Sequence, residues 1–295
     1  MLSILIPVYN YNIVSLVKSL HKQAMEQMID FEIIVVEDGS DRHVDENSEI
    51  AVLEFCKHFV FEQNIGRSSI RNKLSELAQY GHLLFMDCDA VVESSHFIEK
   101  YLSFCNEECV VIGGTSYDET IVEPCFSLRL TYGRKREARP ATERSKNSFS
   151  TFNFLISKTL FNKVRFDESL RGYGHEDMLF GHCLRELGVD FVHIDNPLIH
   201  CGLDKNDVFL QKTKEGVRSL FQLYLSGNYP YLTTESKLLR TFVDLQNRGL
   251  SPYLGKLFPL FESRLKKMLF VRKPLLIFYD LYKLLYMCSL KKTHK

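Results

Sequence analysis

The chain of 295 residues carries 37 basic and 37 acidic side chains, so its formal net charge is zero. Balanced charge excludes the strong positive field that draws a protein to nucleic acid. With 45% hydrophobic and 25% charged residues, the composition is that of a globular protein with a sizeable core. This length suits one large α/β domain with an appendage, or two small domains.

The eight cysteines are spread along the chain without a Cys-x-x-Cys pair. Residues 1–8 run directly into a strand pattern, without the basic segment and cleavage site of a secretory signal. We therefore expect reduced thiols and a cytoplasmic protein. No apolar run reaches the roughly 20 residues that a membrane span requires.

Strand and helix patterns alternate through the first 112 residues. Short apolar runs predict strands at 3–8, 31–36, 59–61, 82–86 and 109–112. Helical spacing predicts helices at 13–28, 44–57, 68–80 and 94–104. Such alternation predicts an α/β fold, a doubly wound and mostly parallel sheet flanked by helices.

Polar clusters follow three of these strands, at residues 7–10, 37–41 and 87–89. In open α/β sheets, ligands bind at the carboxyl ends of the strands. The position of the clusters therefore predicts a ligand site at one edge of the sheet.

The rest of the chain divides into a basic segment, an ordered segment and a helical region. Residues 129–146 are basic and rich in helix breakers, which predicts a mobile surface loop. Order returns at 150–205, with a helix near 176–187, and helical patterns continue beyond 206. We expect an α/β domain over residues 1–205 and a helical C-terminal region over 206–295.

Asp87 and Asp89 stand two residues apart, directly after a predicted buried strand. Two carboxylates in that arrangement can share a Mg²⁺ or Mn²⁺ ion that bridges a diphosphate. The alternative is a turn whose aspartates bond to nearby backbone N–H groups. Their place after a strand of a nucleotide-type sheet favours the metal site.

Glu176 and Asp177 begin the predicted helix near residue 176. Acidic residues also favour any helix N-terminus through the macrodipole. Asp177 is nevertheless the candidate for a general base, which at neutral pH must be a positioned carboxylate or imidazole. His200 is the favoured imidazole ligand of a carboxylate-held metal, ahead of His193, although a lone histidine is usually structural.

Five motifs occur in the order of family 2 glycosyltransferases, and together they resemble that family over residues 1–205. They are Ile6-Pro-Val-Tyr-Asn, Val36-Glu-Asp-Gly-Ser-Asp, Asn64-Ile-Gly with Ile70-Arg-Asn, Asp87-Cys-Asp and Gly174-His-Glu-Asp. The late acidic motif with its histidine is similar to the chondroitin-polymerase and N-acetylgalactosaminyltransferase branch. The resemblance implies the GT-A fold.

The resemblance also implies roles for single residues. The donor nucleotide would be bound by Pro7, Val8, Tyr9, Asp38, Gly66, Arg71, Asp87 and Cys88. Asp38 would accept a hydrogen bond from the uracil N3–H, and the metal would be held by Asp87, Asp89 and His200. Asp177 would be the base, and Glu176 would help to hold sugar hydroxyls. Glu37 departs from the family, which often has Asp there.

The implied reaction transfers a hexose or N-acetylhexosamine from a UDP-sugar to an acceptor hydroxyl with inversion, assisted by Mn²⁺ or Mg²⁺. The acceptor would be a glycan or a lipid-linked glycan of a bacterial surface polysaccharide. One alternative is a nucleotidyltransferase that makes nucleotide sugars, which would need a Gly-rich loop after the first strand. Another is an inactive sugar- or nucleotide-binding module.

Residues 253–295 are apolar and basic, which suits a helix lying on the inner face of a membrane. In that interpretation, lipid headgroups meet Phe278, Tyr279, Tyr282, Tyr286, Lys283, Lys291 and Lys292. The alternative is packing of the same helix within the protein, and the sequence favours neither.

Overall fold

The computed structural model describes residues 1–105, 109–170 and 174–290. They group into two compact units. The sheet unit comprises the described parts of Met1–Asp118, Glu137–Arg171 and Glu176–Gly202. The helical unit comprises the described parts of Glu119–Arg136, Gly172–His175 and Leu203–Lys295. It thus takes a segment from the middle of the chain, which the predicted boundary at residue 205 did not include.

The strands of the sheet unit form a large sheet and a small one. In chain order they are β1 Leu2–Val8, β2 Phe31–Asp38, β3 Cys56–Phe61, β4 His82–Met86, β5 Ala90–Val91, β6 Val110–Ile112, β7 Thr115–Ser116, β8 Asn153–Ser157, β9 Phe191–His193 and β10 Leu198–His200. The large sheet has the order β3-β2-β1-β4-β8-β6-β9, and the small sheet has the order β5-β10-β7.

The large sheet is mostly parallel, which confirms the predicted fold class. β3, β2, β1 and β4 run parallel, and only β8 runs antiparallel to its neighbours β4 and β6. Ile4 and Ile33 pack in the hydrophobic cluster on one face, while Leu5 and Ile34 pack in the cluster on the other. Such strands are buried on both faces because helices cover both sides of the sheet.

The helices are distributed over both units. Those of the sheet unit are α1 Val14–Glu26, α2 Val44–Ser48, α3 Arg67–Leu77, α4 Phe97–Leu102, α6 Lys158–Val164 and α7 Glu176–Glu186. Those of the helical unit are α5 Ser127–Tyr132, α8 Asn206–Ser226, α9 Leu232–Glu235, α10 Lys237–Asn247, α11 Ser251–Leu269 and α12 Leu276–Ser289.

The helix predicted over 44–57 is wrong in its second half. α2 ends at Ser48, a short 3₁₀ turn follows at Glu49–Val52, and β3 already begins at Cys56. Cys56 pairs with Ile33 of β2. Hydrogen bonds to the neighbouring strand therefore override the local helical spacing.

The mobile loop predicted over 129–146 is also wrong. The chain is helical through α5 and continues as a π-helix over Gly133–Glu137. Arg129 is buried and lies over the Phe209 ring of α8, 5.3 Å from its centroid. Arg144, further along, donates to the carbonyls of Ile112 and Ile194 in the sheet unit. The basic side chains are thus used inside the fold, which charge pattern alone did not reveal.

In the C-terminal region, the tyrosines predicted to meet lipid headgroups are buried. Tyr279, Tyr282 and Tyr286 are at most 6% exposed. Tyr282 and Tyr286 pack against Phe258 of α11, with ring centroids 5.3 and 5.2 Å away. Packing within the helical unit is therefore the correct interpretation for these rings, while Lys291 and Lys292 lie outside the described residues. Across the described ranges, no helix combines the length and apolar character needed to cross a bilayer.

Candidate functional site

The three polar clusters follow neighbouring strands of the large sheet. β2, β1 and β4 are adjacent and parallel, so their carboxyl ends meet at one edge. Asn10 joins the first two loops, because its side-chain oxygen accepts from the backbone N–H groups of Asp41 and Arg42 at 2.8 and 3.0 Å. Its own N–H donates to Ser40 Oγ. The sequence pattern assigned no role to this asparagine.

Glu37, at the end of β2, supports the loop that follows it. Its carboxylate is fully buried and accepts from Ser40 Oγ at 2.5 Å and from Asn47 Nδ2 at 2.7 Å. His58 Nε2 lies 3.3 Å away. Burial raises the pKa of Glu37, but the hydrogen bonds from His58, Ser40 and Asn47 outweigh it and leave that pKa below its usual value.

Asp38, the next residue, is bonded to the loop before α3. Its two carboxylate oxygens accept from the backbone N–H groups of Ile65 at 2.7 Å and Gly66 at 3.1 Å. Burial raises the pKa of Asp38 despite these two bonds. Gly39 allows the loop after β2 to lie close to the loop before α3, because a Cβ at residue 39 would lie 2.4 Å from the Asn64 backbone nitrogen. The structure thus brings together two of the residues predicted to bind the donor nucleotide, Asp38 and Gly66.

Asp87, directly after β4, is paired with an arginine. Arg71 Nη2 donates to Asp87 Oδ1 at 2.6 Å, and the Arg71 side chain is almost fully buried. The guanidinium also lies 4.0 Å from Glu176 Oε1, and Arg67 lies 3.6 Å from the same oxygen. Burial and the nearby Asp89 raise the pKa of Asp87, while Arg71 opposes them. One buried arginine therefore connects the strand end to the start of α7.

Asp89 lies beside His200, although 110 residues separate them in sequence. β5 pairs antiparallel with β10, so that Ala90 faces His200. Asp89 Oδ2 then lies 3.4 Å from His200 Nε2, and the Asp89 carbonyl accepts from the Cys201 N–H at 2.8 Å. Gly202 leaves room for the carboxylate, because a Cβ there would lie 2.0 Å from Asp89 Oδ2.

Two aromatic rings, here called the aromatic clamp, stack on the His200 imidazole. Tyr117 stacks on the imidazole at 5.6 Å between centroids, and Phe152 stacks on it at 5.3 Å. The Tyr117 hydroxyl donates to Glu137. His200 Nδ1 is buried and has no hydrogen-bond partner among the described residues. The ring is therefore oriented by stacking on its two neighbours and by the Asp89 carboxylate at Nε2, not by a hydrogen bond at Nδ1. Sequence reasoning missed Tyr117, Phe152 and Glu137.

His193, the less favoured imidazole, lies in a different sheet. It ends β9 and pairs with Ile112 in the large sheet, whereas His200 belongs to the small sheet. Burial and the Arg144 guanidinium lower the pKa of His193. The structure thus places His200, rather than His193, next to the aspartates.

Glu176 and Asp177 form the first turn of α7, as the sequence predicts. Asp177 Oδ1 accepts from the Met178 backbone N–H at 2.7 Å. Glu176 is buried beside Arg67 and Arg71. Gly172 and Tyr173, which precede the Gly174-His-Glu-Asp motif in the sequence, lie outside the described residues.

Four of the residues predicted to bind the donor nucleotide, Pro7, Val8, Tyr9 and Cys88, differ in exposure. Val8 belongs to the core and Pro7 is half-buried, but the Tyr9 side chain is 56% exposed. Cys88 is partly buried between the two aspartates, and burial raises the pKa of its thiol to about 12. Of these four residues, Tyr9 is the one with a largely exposed aromatic side chain, whereas Val8 is buried in the core.

In the part of the chain that the structure describes, no three His, Cys, Asp or Glu side chains cluster closely enough to hold a metal ion by themselves. The pair Asp89 and His200 nevertheless offers an oxygen and a nitrogen donor that face each other. A site of this kind needs ligands from a bound molecule or from water, as magnesium sites beside phosphates usually do.

Comparison with known proteins gives a family match over more than half of the chain. Residues 3–165 match the model of "Glycosyl transferase family 2". The chain is also 25% identical over 261 residues to "Putative glycosyltransferase EpsH" of Bacillus subtilis (strain 168), covering 83% of this chain and 74% of that protein.

Solved structures with the same fold cover nearly the whole chain at low identity. One is the mannosyltransferase PcManGT from Pyrobaculum calidifontis in complex with GDP-Man and Mn²⁺, with TM-score 0.56, 11% identity, and coverage of 98% of this chain and 86% of that chain. Another is S. aureus TarS 1–349 in complex with UDP-GlcNAc, with TM-score 0.50, 17% identity, and coverage of 97% and 89%. At these identities the likeness establishes the fold.

Proposed function

The chain belongs to glycosyltransferase family 2 and has the GT-A fold, and from this premise we propose that it transfers a hexose or N-acetylhexosamine from a UDP-sugar to an acceptor hydroxyl, with inversion. The observation that carries the proposal is the arrangement after β4. There Arg71 holds Asp87 at 2.6 Å, and His200 faces Asp89 at 3.4 Å. The two carboxylates thus meet different partners, which suits different tasks at one diphosphate.

We assign a divalent cation, Mn²⁺ or Mg²⁺, to Asp89 and His200, with Asp87 beside it. Two ligands that bind one such ion at about 2.1 Å and at right angles lie about 3 Å apart. The 3.4 Å between Asp89 Oδ2 and His200 Nε2 is close to that spacing. When bound, the ion supplies positive charge against the negative charge that develops on the leaving diphosphate.

The nucleoside part of the donor is assigned to the ends of β1 and β2. The backbone N–H groups of Ile65 and Gly66 hold the Asp38 carboxylate, which keeps further lone pairs for a base N–H. The exposed Tyr9 ring can stack on the base. The TarS structure contains UDP-GlcNAc, which supports uracil as the base of the donor, whereas the PcManGT structure contains GDP-Man, whose base is guanine. Both bases carry a ring N–H, so both must be tested.

The acceptor is activated by Asp177. Its carboxylate takes the proton from the acceptor hydroxyl while that oxygen attacks the anomeric carbon. The bond from the anomeric carbon to the diphosphate oxygen breaks, and UDP leaves with the electron pair. Attack opposite the leaving group inverts the configuration and needs no covalent nucleophile. Glu176, whose carboxylate lies near Arg67 and Arg71, would help to hold sugar hydroxyls.

The acceptor is a glycan or lipid-linked glycan in the assembly of a bacterial surface polysaccharide. Support comes from Gly174-His-Glu-Asp and from His200, which resemble the chondroitin-polymerase and N-acetylgalactosaminyltransferase branch. Glycosyltransferase membership also argues against the alternative of a nucleotidyltransferase.

A donor panel tests the proposal. The protein is incubated with UDP-glucose, UDP-galactose, their two N-acetylhexosamine counterparts and GDP-mannose, each with Mn²⁺, with Mg²⁺ or with a chelator. We expect release of UDP from at least one UDP-sugar, only when a divalent cation is present. Preference for GDP-mannose would reject the uridine assignment, and full activity in chelator would reject the cation. Once an acceptor is found, NMR of the product reveals inversion or retention.

A further inference from the structure

α11 has two apolar faces, and only one of them is covered. Phe258, Leu265 and Leu269 point inward and are at most 5% exposed. Another side of the helix, turned by roughly 110° from the first at 3.6 residues per turn and here called the outer face, carries large apolar side chains that are 37–70% exposed: Tyr253, Leu257, Leu260, Phe261 and Met268. An ordinary surface helix shows a single apolar stripe that faces the core. Packing in the core therefore does not explain the large apolar side chains of the outer face.

The residues of the outer face lie on one continuous stripe. Counted from Tyr253, the other apolar positions fall at i+4, i+7, i+8 and i+15, the spacing of one side of an α-helix. The basic residues Lys256, Arg264 and Lys267 fall at i+3, i+11 and i+14, on the same side. The turn after α11 continues the pattern with Val271, Arg272 and Lys273, all exposed.

The positive charge of this face is not neutralised by nearby acids. Glu262 is paired with Lys214 and Lys266. Asp280 is paired with Arg136 and Lys283. By contrast, the five basic residues of the outer face and its turn form no ion pair with any described residue. The face is therefore apolar and cationic at once.

We propose that the outer face of α11, with the turn that follows it, docks on an anionic phospholipid bilayer. Apolar side chains interleaved with lysine and arginine suit a helix that lies in the membrane interface, with its cations at the lipid phosphates. A second copy of the chain fits less well, since a twofold contact would bring the same basic residues of both copies together. The contact uses α11 and not the buried tyrosines of α12.

Vesicle sedimentation tests the docking surface. The full chain is mixed with vesicles of phosphatidylglycerol and phosphatidylcholine in equal parts, or of phosphatidylcholine alone, at low and high salt. We expect binding to the anionic vesicles only, weakened by salt. A triple variant, Lys256→Gln, Arg264→Gln and Lys267→Gln, should partition about 100-fold less strongly, since each cation contributes independently near the surface. The double variant Leu260→Gln, Phe261→Gln should also lose binding.

The matched control removes three exposed lysines of the sheet unit, Lys22→Gln, Lys146→Gln and Lys163→Gln. It has the same net charge as the first variant and should bind as the wild type does. Equal loss in the control would overturn the proposal, because net charge alone would then explain binding. So would equal binding to phosphatidylcholine, or no binding at all. Sedimentation velocity gives a fourth contrary outcome, a wild-type dimer that the Leu260→Gln, Phe261→Gln variant dissociates.

Discussion

The ends of β2 and β4 each carry two acidic residues, and at both ends the two carboxylates meet different partners. At β2, Glu37 is sealed inside by Asn47, Ser40 and His58, whereas Asp38 reaches the backbone before α3. Their pKa values move in opposite directions, because hydrogen bonds outweigh burial at Glu37 and burial outweighs them at Asp38.

At the end of β4, the two carboxylates differ for another physical reason. Asp87 is held by the charge of Arg71, while Asp89 faces the imidazole of His200. An acidic side chain at a strand end therefore has no fixed task. Groups that arrive from distant parts of the chain decide which carboxylate supports the fold and which is presented to a ligand.

The largest effect is expected at Asp89, which our account makes a ligand of the cation. Asp89→Ala should lower sugar transfer by at least ~1,000-fold, because a bound cation contributes several kcal/mol to the transition state. The measurement is UDP release in saturating Mn²⁺. Glu26→Ala removes an exposed acid at the end of α1, outside the strand-end clusters, and serves as the control. Substantial transfer by Asp89→Ala would place the cation elsewhere.

The second largest loss of transfer is expected at Asp177, which lies at the start of α7 and not at the end of β2 or β4. Asp177→Asn keeps the shape but removes the basicity, so transfer should fall by ~100-fold or more. Donor binding, measured by calorimetry, should stay unchanged. Near-normal transfer would show that Asp177 is not the base. Weakened donor binding would instead give Asp177 a role in holding the donor, as proposed for Asp87 and Asp89.

The aromatic clamp is expected to act on the cation through His200. Tyr117→Leu removes one of the two rings that orient His200, so the Mn²⁺ concentration for half-maximal activity should rise by ~10-fold, a usual effect for groups behind a metal ligand. Tyr117→Phe keeps the ring and removes the hydroxyl that donates to Glu137. We expect it to resemble the wild type. An equal shift in both variants would mean that the hydroxyl, and not stacking, positions the imidazole.

The smallest effect concerns stability at β2. Glu37 has a lowered pKa in the folded protein, so its carboxylate stabilises the fold above the unfolded pKa, about 4.5, and this stability is lost as pH falls through the folded pKa. Glu37→Gln should lower the free energy of unfolding by ~2 kcal/mol at pH 7, and by less below pH ~4.5. Urea unfolding at both pH values checks this. A difference independent of pH would contradict the ionised role.

Local patterns predicted the elements and the strand-end clusters, because hydrophobic spacing and turn residues are short-range signals. They missed what depends on distant pairing. The antiparallel insertion of β8, the early start of β3 and the contact between Asp89 and His200 all follow from strand register. Resemblance to a family named His200, but no local signal could show that Tyr117 and Phe152 stack on it.

The direct test of our account is a calorimetric titration of UDP into the wild type and Asp89→Ala, with and without Mn²⁺. We predict that the wild type binds UDP tightly only with Mn²⁺, and that Asp89→Ala loses this gain while remaining folded by circular dichroism. Equal UDP affinity of the two proteins in Mn²⁺ would contradict the assignment of the cation to Asp89 and His200.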